Sequence, residues 1–178
     1  MLLWFILVLF CITILWVIGF VVVSSLLTCF QDPFVSTPDK ALERLLKILP
    51  VHLRGKKTFY ELGAGRGKVS LAMARRFPRL KVFAVEKSKF LCRLIELGAR
   101  HQALKNLRVL HRDLFQVSLK KADILYLYLS PRSFKRLTPR FNQLKKGALI
   151  ITLDFPLPGR KAFKKLPVSS HRLFLYRG

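Results

Sequence analysis

The sequence predicts a parallel α/β sheet with helices on both faces, preceded by one N-terminal membrane helix. Three observations carry this. Residues 2–30 are almost wholly Leu, Ile, Val, Phe and Trp, and all 33 Lys and Arg and all 9 Asp and Glu lie beyond them. From Thr58 onward, short apolar runs of β character alternate with stretches of helical spacing, the pattern of parallel strands joined by crossover helices. Between the first run and the first helix stands Gly63-Ala64-Gly65-Arg66-Gly67.

The leader comes first. About 20 apolar residues cross a bilayer core as a helix, and 2–30 exceeds that. A cleaved signal would have a basic n-region, a shorter apolar core and a small-residue cleavage site, so an uncleaved anchor over 1–30 is expected. No Lys or Arg precedes it, while Lys40, Arg44, Lys47, Arg54, Lys56 and Lys57 follow. The positive-inside tendency then puts the remainder on the cytoplasmic side, a bacterial inner membrane being the expected setting. Three cysteines, two of them in the leader, fit a reduced compartment.

Residues 31–50 read as a connector and a pre-core helix, and 51–178 as the main domain. Thr37 can cap a helix starting at Pro38, with Asp39 in its first turn. Leu42, Leu45, Leu46 and Leu49 give that helix an apolar stripe, and Pro50 ends it. Strands are expected at 58–62, 81–85, 107–111, 124–129 and 148–153, with a last strand at 171–176 on an edge. Helices are expected at 68–77 and 90–104, and at 134–144 with a break at Pro139. The charge of +24 does not imply disorder, because apolar runs recur throughout the basic part.

The chemistry concentrates at strand ends. Glycines let a backbone turn sharply and approach a ligand with no Cβ in the way, and a helix N-terminus presents free N–H groups. Glu61 precedes the glycines, and Glu86 ends the second strand, where a carboxylate can accept from both hydroxyls of a ribose. A dinucleotide fold wants Gly-x-Gly-x-x-Gly; here the third glycine, Gly67, comes one residue early. Of the nine acids in the chain, Glu61, Glu86 and Asp113 fall on these ends.

The spacing Glu-x-Gly-x-Gly-x-Gly resembles the first motif of class I S-adenosylmethionine-dependent methyltransferases. That resemblance implies a Rossmann-like methyltransferase sheet and S-adenosylmethionine as cofactor. It implies that Glu61, Gly63, Gly65 and Gly67 form the cofactor turn, that Glu86 holds the ribose and that Asp113 lies near the adenine. Further stretches narrow it: 33–38, Asp113-Leu114-Phe115, 122–131 and 146–159. Their order is similar to the membrane-anchored protein-lysine methyltransferases of the FAM173 type, over nearly the whole chain. Arg66 stands where such enzymes often carry an acid, and Ser36 where a proline is usual.

The subgroup resemblance implies a lysine of a small membrane protein as acceptor. A lysine nucleophile must be neutral, so the site must take its proton or depress its pKa. Candidates to line the acceptor side are Tyr128, Ser130 and Pro131 after the fourth strand, Asp154 and Phe155 after the fifth, and Phe34 and Thr37 before the core. Tyr128 and Phe155 read equally as core aromatics, and Pro131 as a helix-start proline. The positive charge suits an anionic membrane surface. It also suits a phosphate backbone, so an RNA methyltransferase is the competing reading, and a non-catalytic membrane scaffold is the third.

Overall fold

Strand alternation decides which side of each strand faces which helix, and the computed structural model follows it residue by residue. The structure describes residues 2–29, 35–53 and 58–178. Two compact units emerge, Met1–Phe34 and Val35–Gly178.

The first unit is one helix, α1 (Leu2–Cys29), of 28 residues. Its described side chains are exposed all round, and their unbroken run is 8–22. Among the described residues, no helix is long and apolar enough to cross a membrane. The expected transmembrane helix therefore has no span there to rest on.

The second unit holds α2 (Asp39–His52), β1 (Thr58–Leu62), α3 (Lys68–Arg76), β2 (Lys81–Glu86), α4 (Lys89–His101), β3 (Leu107–His111) and β4 (Ile124–Leu127). After these come α5 (Pro131–Leu137), a 3-10 helix (Thr138–Gln143), β5 (Leu149–Leu153), β6 (Lys164–Val168) and β7 (His171–Arg177). The sheet order is β3-β2-β1-β4-β5-β7-β6. The first five strands in that order are parallel, while β7 is antiparallel to both β5 and β6.

In β1 and β4, Phe59, Ile124 and Tyr126 pack with Ala41, Leu45, Leu49, Val69 and Met73 of α2 and α3. The intervening Tyr60, Leu62, Leu125 and Leu127 pack with Phe134, Leu137 and Phe141 on the opposite face. Burial on both faces gives β4 its continuous apolar character. The chain reverses its winding between β1 and β4, and ligands of open α/β sheets bind at the carboxyl ends of strands beside such a switch.

Four expectations need correction. The sheet is mixed rather than parallel, because β6 and β7 form an antiparallel hairpin through Ser169 and Ser170. β7 is not an edge: β6 lies outside it and was hidden by its exposed Lys164 and Lys165. α2 runs through Pro50 to His52, its last turn closed by Leu53 N donating to the Pro50 carbonyl. Thr37 does not cap α2; Pro38 occupies the cap position, and the Thr37 hydroxyl pairs with the hydroxyl of Tyr126 at 2.9 Å. Tyr126 is 1% exposed, so its hydroxyl needs an internal partner.

The break at Pro139 is present: α5 stops at Leu137 and gives way to the 3-10 turns. Residues 31–34 of the connector, Phe34 among them, and Arg54, Lys56 and Lys57 lie outside the described residues.

Candidate functional site

The turn after β1 is built by glycine. Gly63, Gly65 and Gly67 have φ of 74°, 57° and 73°, a region that costs an L-residue energy and glycine none. At Gly67 there is a second reason: a Cβ there would lie 2.7 Å from Ile95 Cγ1, on α4. The early third glycine thus lets α4 pack against the start of α3.

Gly67 is also the N-cap of α3, and it has no side chain to cap with. Glu61 supplies the acceptor instead. Its Oε2 accepts from Ser70 N at 2.8 Å and from Ser70 Oγ at 2.5 Å. Glu61 is 5% exposed. Burial raises its pKa to about 7, against the lowering effect of the Ser70 bonds and with a smaller push from Glu86. Glu61 therefore shapes the turn from beneath.

Glu86 spans two loops. Oε2 accepts from Gly65 N at 2.8 Å, and Oε1 accepts from Lys87 N and Ser88 N, each at 2.9 Å. A carboxylate has about four acceptor positions, so Oε2 keeps one for a further donor. Asp113 folds on itself, its Oδ1 accepting from Phe115 N at 2.9 Å. Lys68, at the first turn of α3, bonds the Thr37 carbonyl at 2.7 Å and Asp39 at 2.9 Å, tying the pre-core segment to the glycine helix.

The candidates on the acceptor side divide. Ser130 is the N-cap of α5, its hydroxyl accepting from Ser133 N, and Pro131 takes the first helical position; the pair starts a helix. The Phe155 carbonyl accepts from Thr152 Oγ1, and its side chain is 40% exposed. Tyr128 and Asp154 meet: the phenol donates to Asp154 Oδ2 at 2.9 Å. His171, at the start of β7, brings Nδ1 to the same oxygen at 2.9 Å, and Arg172 N donates to Oδ1 at 3.2 Å. Burial, and then the bond and charge of Asp154, raise the Tyr128 pKa to about 12. His171 was not foreseen; the signal would have been a histidine opening a strand that starts beside the carboxyl end of β5 and runs antiparallel to it.

The glycine turn, one acceptor position left on Glu86 and a switch-point location suit a cofactor with a ribose and a chain passing close to backbone. The ANTKMT methyltransferase domain matches residues 61–164, more than half of the chain. The chain belongs to that family. It is a methyltransferase whose cofactor is S-adenosylmethionine. It is 24% identical over 154 residues to a protein-lysine N-methyltransferase of Saccharolobus islandicus, covering 81% of this chain and 92% of that one. A probable ribosomal RNA small subunit methyltransferase A of Methanosphaera stadtmanae is 30% identical over 108 residues, which are 58% of this chain and 38% of that one. Among solved structures, an RNA methyltransferase from Salinibacter ruber in complex with S-adenosyl-L-homocysteine superposes with a TM-score of 0.74 at 21% identity, covering 80% and 93% of the two chains. That likeness supports the Rossmann-like fold.

Within this family member, Gly63, Gly65 and Gly67 would admit the donor to the backbone, and Glu86 would take a ribose hydroxyl on Oε2. The cofactor supplies a methyl group on a sulfonium, open to in-line attack. The protein must orient the acceptor, exclude water and keep the attacking atom unprotonated.

Proposed function

We propose that this methyltransferase modifies a lysine side chain of a membrane-associated protein, held near the bilayer by the apolar segment 2–30. The relative from Saccharolobus islandicus carries the reading: it is a protein-lysine N-methyltransferase matched over nearly its whole length. The segment 2–30 supports the membrane location, since it contains no charged residue and exceeds the length a bilayer core needs. The net charge of +24 supports an anionic leaflet as the second partner, each Lys or Arg near such a surface contributing about 1 kcal/mol. On this reading the basic unit lies on the cytoplasmic side.

RNA methylation is the competing reading, favoured by the same charge and by the RNA methyltransferases among its relatives. Membranes labelled with the full-length protein and tritiated S-adenosylmethionine separate the two. Label removed by protease and retained after ribonuclease supports the lysine reading; label removed by ribonuclease refutes it.

A further inference from the structure

At the carboxyl ends of β4 and β5, Asp154 holds two side chains on one oxygen. Tyr128 OH and His171 Nδ1 each lie 2.9 Å from Oδ2, and Arg172 N lies 3.2 Å from Oδ1. Three chain segments that are distant in sequence converge to build this: the end of β4, the end of β5 and the start of β7. Asp154 itself has φ of 63°, a backbone state that a non-glycine residue adopts at a cost of roughly 1–3 kcal/mol. The carboxylate is therefore aimed, and its partners hold it there.

The chemistry of the contact sets the histidine's tautomer. A carboxylate only accepts, so Nδ1 carries the hydrogen, and a neutral ring then has its lone pair on Nε2. The phenol of Tyr128 stays protonated and donates to the same oxygen. The His171 side chain is 27% exposed and that of Asp154 22%, so the cluster reaches solvent without being loose on the surface. It also follows the strand beside the glycine strand: β4 pairs with β1 through Leu127 and Leu62, the residues that directly precede Tyr128 and Gly63.

We infer that His171 is the general base of methyl transfer, its Nε2 taking the proton of the acceptor ammonium while Asp154 and Tyr128 act as positioning residues. This rests on the lysine reading above. The proton goes to Nε2. The freed nitrogen pair forms the N–C bond as the methyl–sulfur bond breaks, and that bond's electrons stay on sulfur. Nε2 then returns its proton to water. An aspartate on Nδ1 serves here as it does in other Asp–His pairs: it fixes the ring orientation and stabilises the imidazolium.

Among the described residues, the charged and titratable groups recorded around the ring come from three elements. Asp154 faces it from the end of β5 and Tyr128 from the end of β4, while Arg172 follows it on β7. Its partner on β6 is the uncharged Val168. Glu61 and Tyr126 act electrostatically within the same group, since Tyr126 feels Glu61, Tyr128 and Asp154.

The test uses full-length protein, tritiated S-adenosylmethionine and membranes from cells lacking the protein, with rates taken from pH 6 to 9. His171→Asn and Asp154→Asn should each slow protein labelling by about 100-fold at pH 7, the scale of a lost general base. Donor affinity by calorimetry should change less than about twofold, because neither group is assigned to the donor. The wild-type fall in rate on the acid side should disappear, leaving a rate that climbs with pH as free ammonium ionises. Added imidazole should restore part of the rate to His171→Ala, which a purely structural histidine would not allow. Wild-type rates and an unchanged pH profile in both Asn variants overturn the assignment while the lysine reading stands. Ribonuclease-sensitive label from the wild type overturns both.

Discussion

Replacing Glu61 with Gln tests the role of the buried carboxyl under the glycine turn. Glu61 is 5% exposed, its pKa rises from 4.5 to about 7, and both its bonds go to Ser70. The folded state therefore holds a proton that the unfolded chain has released between those two values. The contribution of Glu61 to stability is greatest below pH 4.5 and falls as pH rises toward 7, at about 1.4 kcal/mol per unit while only the folded state is protonated. Gln keeps an acceptor for Ser70 N and cannot ionise. The stability difference, variant minus wild type, should thus move by roughly 2–3 kcal/mol in favour of Gln between pH 5 and pH 8. Urea unfolding followed by far-ultraviolet circular dichroism at the two pH values measures it. An equal difference at both would show that Glu61 does not carry a folded-state proton, and the burial argument would fall.

Other expectations follow from the same geometry. Glu86→Ala frees Gly65 N, Lys87 N and Ser88 N and would remove the ribose acceptor, so calorimetry should show donor affinity weakened about 10- to 100-fold, one hydrogen bond to a charged group being worth about 1.5–3 kcal/mol; unchanged affinity would remove the ribose assignment. Gly67→Ala meets Ile95 at 2.7 Å and keeps φ at 73°, so it should cost about 1–3 kcal/mol in urea unfolding, and trimming Ile95 should recover only the steric part. Asn106 donates to the carbonyls of Ala74, Phe77 and Leu80 as α3 ends; Asn106→Ala should lose about 1–3 kcal/mol and raise amide exchange at the start of β2.

The parallel half of the sheet was legible because its central strands β1, β4 and β5 are buried on both faces and read as largely apolar runs, with Gly63 to Gly67 marking where the first one ends. The antiparallel hairpin was not. β6 contributes only Leu166 and Val168 to the core, and its Lys164, Lys165 and Pro167 are exposed, so it reads as a charged loop. Its absence from the reading left β7 at the edge. The acids were found, yet two of their partners were invisible: Ser70 and His171 lie 9 and 17 residues from Glu61 and Asp154, and only the folded sheet brings each pair together. Ser130 and Pro131 turned out to start a helix, as their residue types alone suggest.

Glu86 links the backbone of two successive loops through one carboxylate. The entropy of ordering those loops is therefore spent during folding and not again when the donor arrives. Donor capture should then behave as encounter with a preformed cradle: fast association, little rearrangement of the backbone, and selectivity expressed mainly in how long the donor stays. It also means that damage to this one side chain loosens the cradle even where no ligand is present, so loop amide exchange in the free protein reports on the same residue as donor affinity does.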